Sequence, residues 1–323
     1  MPLTKYLPDH FTLAMLATVA LASFFPAHGA GTAFFEALTT AAIALLFFLH
    51  GAKLSRDAIL AGMGHWRLHL LVLCSTFVVF PLLGLVLRPL LSHLTTPELY
   101  LGILYLCVLP ATVQSAIAFT SMARGNISAA ICSASLSTLL GVFITPVLVQ
   151  LIVLPGAGAG STLDSIVRIL LQLMAPFLAG HLLRPWIGHW VHRRAKALKF
   201  VDQGSILLVV FTAFSAAVIE NLWGQISLWD FVGLLITCLV VLALALCSTT
   251  WLARRLGFNK ADEITIVFCG SKKSLASGIP MAKVLFAPQV VGAIVLPLML
   301  FHQIQLMVCA VLAQRYAKRP EDE

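Results

Sequence analysis

Apolar residues fill the chain in ten long runs, and a short polar stretch separates each run from the next. A helix needs about 20 mostly apolar residues to cross a hydrocarbon core about 30 Å thick, and every run is near that length. The runs span residues 11–27, 33–54, 68–90, 98–122, 126–153, 163–186, 203–221, 229–251, 260–286 and 289–314. This pattern predicts an all-α membrane protein with ten transmembrane helices.

Composition excludes a water-soluble chain. Of the 323 residues, 60% are hydrophobic and 11% charged, against about 45–50% and about 25% in soluble domains. The net charge of +8 does not indicate a nucleic-acid partner, because the basic residues lie in short loops between apolar runs. All seven cysteines fall inside the runs without metal-ligand spacing, so we expect them to pack against their neighbours and predict no metal site.

The basic residues also predict orientation. If the N-terminus is cytoplasmic, 16 of the 21 Lys and Arg residues lie in cytoplasmic segments and only three in external ones; Lys272 and Lys273 complete the set. Cytoplasmic loops of membrane proteins carry such an excess of positive charge. We therefore expect a multi-pass protein of the inner membrane with both termini in the cytoplasm.

The ten predicted helices divide into two sets of five at a Gly-rich link, GAGAG, at residues 156–160. An odd number of spans in each half places the halves in opposite orientations. Residues 1–155 and 161–323 would then form the two inverted repeats that many secondary transporters share.

The fourth and ninth spans, which occupy equivalent places in the two halves, both carry a helix-breaking sequence near mid-membrane. Pro110 removes a backbone donor about twelve residues into span four, and Gly270 precedes a polar run at a similar depth in span nine. Backbone groups freed at this depth must be buried in protein or line a wet cavity. An ordinary kink is the alternative, but the paired positions favour a binding site.

Lys272 and Lys273 follow Gly270 directly and are the most informative residues of the sequence. A lysine at the centre of a membrane helix costs about 2.5–3.5 kcal/mol, so such residues usually have a function. No carboxylate lies equally deep, which favours an anionic solute or a proton-coupled cycle. The structural alternative is that a lysine satisfies carbonyl groups freed at the break.

Other polar residues surround the predicted breaks. We expect Thr112, Gln114, Ser115, Ser271 and Ser274 to line the site, although each could instead form hydrogen bonds between helices. Weaker candidates are Pro110, Ser133, Ser135, Gly270 and His302. Asn259 and Asp262, near the start of span nine, have the spacing of a helix cap rather than of a ligand site.

Four segments resemble the bile acid:sodium symporter superfamily, in the branch of the seventh member of vertebrate solute carrier family ten. They are LLFFLHGAKLS at 45–55, LPATVQSAIAFTSMARGNISAA at 109–130, STLLGVFITP at 137–146 and FNKADEITIVFCGSKKSLASGIPM at 258–281. The resemblance implies a core domain and a panel domain, broken and crossed fourth and ninth helices, and carriage of an organic anion with sodium.

The chain departs from that family at most of the side chains expected to bind sodium. The departing positions are Phe268, Lys272 and Lys273 on the ninth span, Ala116 beside Ser115 on the fourth, and Ala130 and Ala134 on the fifth. Sodium and the proton therefore both stay open as the coupling ion.

The leading hypothesis is a secondary transporter that moves a small organic anion by alternating access. On this hypothesis, replacing Lys272 and Lys273 by alanine abolishes transport and leaves folding intact. The partners would be a small anionic solute and membrane lipid, and the sequence indicates no particular oligomeric state. The alternatives are a membrane-embedded regulator that binds a ligand without moving it and an intramembrane enzyme, although no catalytic motif or cofactor-binding pattern is recognised.

Overall fold

The computed structural model describes residues 10–53, 63–91, 93–154 and 162–319, and within them it contains helices and no strand. The all-α prediction is therefore confirmed. The long helices are α1 His10–Phe24, α2 Ala30–Lys53, α3 Trp66–Val86, α4 Pro97–Val108, α5 Gln114–Met122, α6 Ile127–Val153, α7 Thr162–Arg193, α8 Ala195–Ile219, α9 Leu228–Arg255, α10 Lys260–Gly270, α11 Leu275–Leu285 and α12 Pro288–Ala317.

Six of these helices, α2, α3, α6, α8, α9 and α12, are long and apolar enough to cross a membrane. Two more, α1 and α4, are apolar but shorter. The full set of ten spans and its five-plus-five repeat stay predictions, and the Gly-rich link at 156–160 lies outside the described residues.

The predicted breaks in spans four and nine are present. Span four is divided into α4 and α5 by the non-helical residues 109–113, and span nine into α10 and α11 by residues 271–274. By contrast, residues 187–202, which separate the sixth and seventh predicted spans, are helical on both sides of Arg194. Alanine, leucine, lysine and arginine favour helix, so α7 and α8 extend through the segment assigned to the separator.

The chain folds into two compact units. Of the described residues, those within 1–54, 154–227 and 278–295 form unit 1, and those within 55–153, 228–277 and 296–323 form unit 2. Each predicted half of the chain thus contributes to both units. The division into repeats at 156–160 concerns the order of helices along the chain and stays a prediction.

In unit 1, α2 and α7 approach closely through a reciprocal pair of glycines. A Cβ atom at Gly51 would overlap the backbone oxygen of Phe177, and one at Gly180 would overlap the backbone oxygen of Phe48. Small residues allow helix backbones to meet in this way, where van der Waals packing replaces the hydrophobic effect. The close approach of the α2 and α7 backbones therefore requires glycine at both positions.

In unit 2, α10 is the central helix and packs against α3, α5, α6 and α9. Its start is capped as predicted, because Asn259 Oδ1 accepts the Asp262 N–H at 2.8 Å. The Asp262 carboxylate also accepts a hydrogen bond from Asn126 Nδ2 at 2.9 Å, and Asn126 caps α6. The starts of α6 and α10 are thereby joined, which fixes the depth of the break that follows α10.

Candidate functional site

The break between α4 and α5, residues 109–113, contains Pro110. Proline has no backbone N–H, so it cannot donate to Leu106 O, and the Leu109 N–H takes that acceptor at 3.4 Å. A Cβ at Gly141 would lie 2.5 Å from Pro110 Cβ, so the glycine on α6 leaves room for the proline ring. The backbone is already extended at the residue before the proline, Leu109, with φ −75° and ψ 156°.

Side chains of α6 satisfy two backbone groups at this break. Thr145 Oγ1 donates to Val108 O at 2.9 Å, and Ser137 Oγ accepts the Ala111 N–H at 3.0 Å. Both hydroxyl-bearing residues are fully buried. A buried backbone group without a partner would cost about 1–3 kcal/mol, so α6 stabilises the non-helical segment.

The second break supplies partners for three further carbonyl groups. Ser274 N–H donates to Pro110 O at 2.9 Å, which joins the two broken segments through their backbones. The Lys273 ammonium group donates to Cys107 O at 2.9 Å and to Leu109 O at 2.8 Å. Carbonyl oxygens left without a helical partner at one break are therefore bound by residues of the other break.

The third acceptor of the Lys273 ammonium group is a carbonyl oxygen in a π-helical turn of α3, Ser75–Val79. There the Phe80 N–H donates to Ser75 O, so Thr76 O does not receive its usual donor. The residue five positions beyond Thr76 is Pro81, which has no N–H to give. Thr76 O instead accepts from the Lys273 ammonium at 2.7 Å.

Lys273 is thus enclosed on all sides. Its side chain is fully buried, its Nζ donates to three carbonyl oxygens, and it lies 4.1 Å from the centroid of the Phe80 ring. Gln305 of α12 holds the Lys273 backbone, accepting its N–H at 2.9 Å and donating to its carbonyl at 3.0 Å. All three ammonium protons have an oxygen acceptor in this cage.

Lys272 has a different environment. It too is fully buried, but within the described residues its Nζ has a single hydrogen-bond partner, Ser115 Oγ, at 3.5 Å. Two aromatic rings contribute instead: the Phe119 centroid lies 4.4 Å from Nζ and the Phe268 centroid 5.5 Å. An ammonium group interacts favourably with an aromatic face, yet this arrangement leaves hydrogen-bonding capacity unused.

The site therefore carries two buried ammonium groups, and no salt bridge joins either of them to a carboxylate within the described residues. One group is surrounded by carbonyl oxygens, which are the ligands that hard cations such as sodium prefer. The other has unused donors, which suit an anion. Both lie at paired helix breaks of the kind that transporters use for their substrate and ion sites.

Comparison with known proteins identifies the family. A sequence profile of the SBF-like CPA transporter family matches residues 9–318, which is nearly the whole chain. The chain belongs to this transporter family. It is therefore a multi-pass membrane protein related to transporters rather than to enzymes, as the sequence predicted.

Relatives of this transporter occur in bacteria and vertebrates. It is 67% identical over 318 residues to an uncharacterised protein of Pseudomonas aeruginosa, covering 98% of this chain and 96% of that protein. It is 60% identical to YfeH of Escherichia coli, designated a symporter, over 97% and 94% of the two chains. It is 30% identical to sodium/bile acid cotransporter 7 of the rat, over 84% and 80%. The resemblance to the bile acid:sodium symporter branch is confirmed.

The transporter's structure brings most of the predicted site residues together. Ser115 Oγ donates to Thr112 Oγ1 at 3.4 Å, beside Lys272. Ser271 Oγ donates to Val267 O at 2.6 Å, and Ser274 Oγ accepts the Ser277 N–H at 3.2 Å, so these two hydroxyls complete helix ends.

The remaining candidates lie at the edge of the site or away from it. Gln114 is exposed on the first turn of α5. Ser133 hydrogen-bonds His69 on α3 at 2.7 Å, Ser135 is half-buried on α6, and His302 accepts from Gln305 at 2.8 Å. Gly270, the last residue of α10, packs against Ser75 and Thr249. His302 thereby contacts Gln305, which holds the Lys273 backbone.

Several features of the candidate site were missed from the sequence. Thr76 O lies in an α3 segment that reads as an unbroken apolar span, and its only local signal is Pro81. Gln305 is a polar residue within the tenth span and could have been singled out on that ground. Phe119 and Phe268 cannot be distinguished from packing residues by sequence pattern.

Proposed function

We propose that this family member is a secondary active transporter that moves a small organic anion by alternating access and that does so without a coupling sodium ion. The observation that carries the proposal is the Lys273 ammonium group held by three backbone carbonyl oxygens where two broken helices meet. The printed name of the rat relative associates that protein with sodium and bile acid. Here a covalently attached cation lies among the oxygens.

Lys273 acts in this proposal as a tethered cation. A bound sodium ion would neutralise freed carbonyl dipoles in the interior of the membrane and hold the two breaks together. The ammonium group does the same through donated hydrogen bonds and cannot dissociate. Transport would then draw no energy from a sodium gradient, and a proton gradient would be the alternative source.

Lys272 supplies the charge that attracts the solute. Its ammonium group has one long hydrogen bond, to Ser115, and two aromatic neighbours, so a carboxylate or sulfate oxygen would be a stronger partner than any it has now. Because Lys272 is fully buried, an anion can reach it only if the break ahead of α5 rearranges. That requirement fits a carrier with alternating access better than an open pore.

The distribution of basic residues supports an inner-membrane location with both termini in the cytoplasm. Reconstitution of the purified protein in lipid vesicles allows a sodium gradient and a proton gradient to be imposed separately.

Uptake into proteoliposomes tests the function. We would supply a panel of radiolabelled organic anions, namely carboxylates, sulfates and taurocholate, with sodium, with choline in its place, and with an imposed pH gradient. The proposal expects uptake of at least one anion at the same rate in sodium and in choline, and loss of that uptake in Lys272→Met. Uptake that requires sodium, or no uptake of any anion by protein that retains its fold, would contradict it.

A further inference from the structure

A groove of about 940 Å³ runs along unit 2 between the second half of α9 and the second half of α12. Its walls include Cys247, Trp251 and Arg254 from α9 and Met307, Val311 and Arg315 from α12. Residues three or four positions apart share one face of a helix, so each helix contributes a single continuous face. The groove lies apart from Lys272 and Lys273, neither of which lines it.

The groove changes from apolar to basic along its length. Met307 and Val311 are exposed in its apolar part, whereas Arg254, Arg255 and Arg315 lie in the last turns of their helices. The 28 residues of α9 span about 42 Å, against a hydrocarbon core of about 30 Å. The arginines therefore reach the headgroup layer while the apolar part faces the acyl chains.

The basic end is only partly neutralised. Arg254 donates two hydrogen bonds to the buried carboxylate of Glu263, both at 3.2 Å. The Arg255 guanidinium carbon lies 5.7 Å from the centroid of the Trp251 ring, and Arg315 is exposed. No ion pair engages Arg255 or Arg315 among the residues that the structure describes. Two guanidinium groups are thus available to a ligand at the mouth of an apolar groove.

We propose that this groove binds an anionic phospholipid from the adjoining leaflet. Arg255 and Arg315 bind the phosphate, for which a guanidinium group offers paired donors. Trp251 lies at the interface, where tryptophan is favoured, and an acyl chain follows Met307 and Val311. Basic pockets between transmembrane helices recognise lipid headgroups by this combination of charge and apolar contact. The volume suits a headgroup with part of a chain.

The test is the thermal stability of delipidated protein in detergent, titrated separately with phosphatidylglycerol, phosphatidylcholine and glycerol 3-phosphate. A ligand that binds only the folded protein raises its melting temperature in a saturable way. We expect a saturable rise with phosphatidylglycerol and none with the other two. An equal rise with phosphatidylcholine would contradict a charge-selective site, and a rise with glycerol 3-phosphate alone would indicate a soluble phosphate ligand instead of a lipid.

Variants locate the effect in the groove. In the double variant Arg255→Gln/Arg315→Gln, the phosphatidylglycerol concentration at half-saturation should rise at least about tenfold, since each guanidinium–phosphate contact is a charge-assisted hydrogen bond. The control, Arg193→Gln/Arg194→Gln, removes two exposed arginines from unit 1 and should bind normally. Met307→Trp fills the apolar part without changing charge and should also weaken binding. Normal binding by both groove variants would overturn the proposal.

Discussion

Lys272 and Lys273 are adjacent in sequence, equally buried, and yet surrounded by different chemistry. Lys273 meets three carbonyl oxygens, whereas Lys272 meets two aromatic rings and one distant hydroxyl. The segment between α10 and α11 is not helical, and this allows consecutive side chains to enter separate environments. The two residues should therefore respond differently to the same substitution.

Methionine at each position separates the two roles. Lys273→Met leaves three buried carbonyl groups without a donor, so the free energy of unfolding should fall by about 3 kcal/mol or more. Lys272→Met keeps a flexible side chain between the rings, where sulfur packs well against aromatics, and should change stability by less than half as much while abolishing anion uptake.

Apparent melting temperature and proteoliposome uptake measure these two effects. Lys196→Met, at an exposed position on α8, serves as the control and should alter neither. Equal loss of stability in the two buried variants would refute the distinction between a tethered cation and a solute-binding charge.

At the residue scale, the sequence predicts part of this site. Two lysines in the middle of an apolar span, with no carboxylate at similar depth, are visible without coordinates. The sequence does not show that Lys273 has a structural role, because Thr76 and Gln305 lie far from it along the chain. The expectation that alanine at both positions leaves folding intact therefore now applies to Lys272 alone.

Among the elements, the broken helices depend on side chains of their neighbours. The break after α4 is predictable from Pro110, which acts locally. The outer limits also agree, because α4 and α5 together cover 97–122 and α10 and α11 together cover 260–285, against predicted spans of 98–122 and 260–286. The contribution of α6 is not predictable in the same way. Its serine and threonine residues resemble ordinary helix-to-helix hydrogen-bond donors until the freed backbone groups are placed beside them.

Two threonines of α6 test this dependence. Thr145→Val removes the donor to Val108 O and should lower the free energy of unfolding by about 1–3 kcal/mol, because that carbonyl is then buried without a partner. Thr138→Val is the matched control, since Thr138 bonds to Ala134 O of its own helix. The melting temperatures of the two variants are compared with that of the native protein. An equal fall in both would show that α6 does not stabilise the break.

Glycines of unit 1 provide a second test at this scale. Gly51→Ala places a methyl group against the backbone of Phe177 and should force α2 away from α7, with a large fall in melting temperature. Gly204→Ala on α8 meets nothing within 4 Å and should leave stability unchanged or raise it by up to about 1 kcal/mol. Tolerance of alanine at Gly51 would contradict the close contact of α2 and α7.

For the whole molecule, hydropathy and charge predict the membrane class, and the four quoted segments predict the family, because both signals are distributed over most of the chain. The division into units is different. Each unit is assembled from three separate stretches, and contacts between distant helices, such as α2 with α7 in unit 1, decide which stretches join. Those contacts depend on how residues far apart in the sequence pack together, which no local pattern records.

Sodium binding is measured by the thermal stability of the purified protein, titrated with sodium chloride against choline chloride at constant ionic strength. If Lys273 occupies the place of a coupling cation, sodium should produce no saturable stabilisation of the native protein. In Lys273→Ala, sodium or ammonium should restore part of the lost stability by entering the vacated carbonyl cage. A saturable, sodium-specific rise in the melting temperature of the native protein would contradict this account.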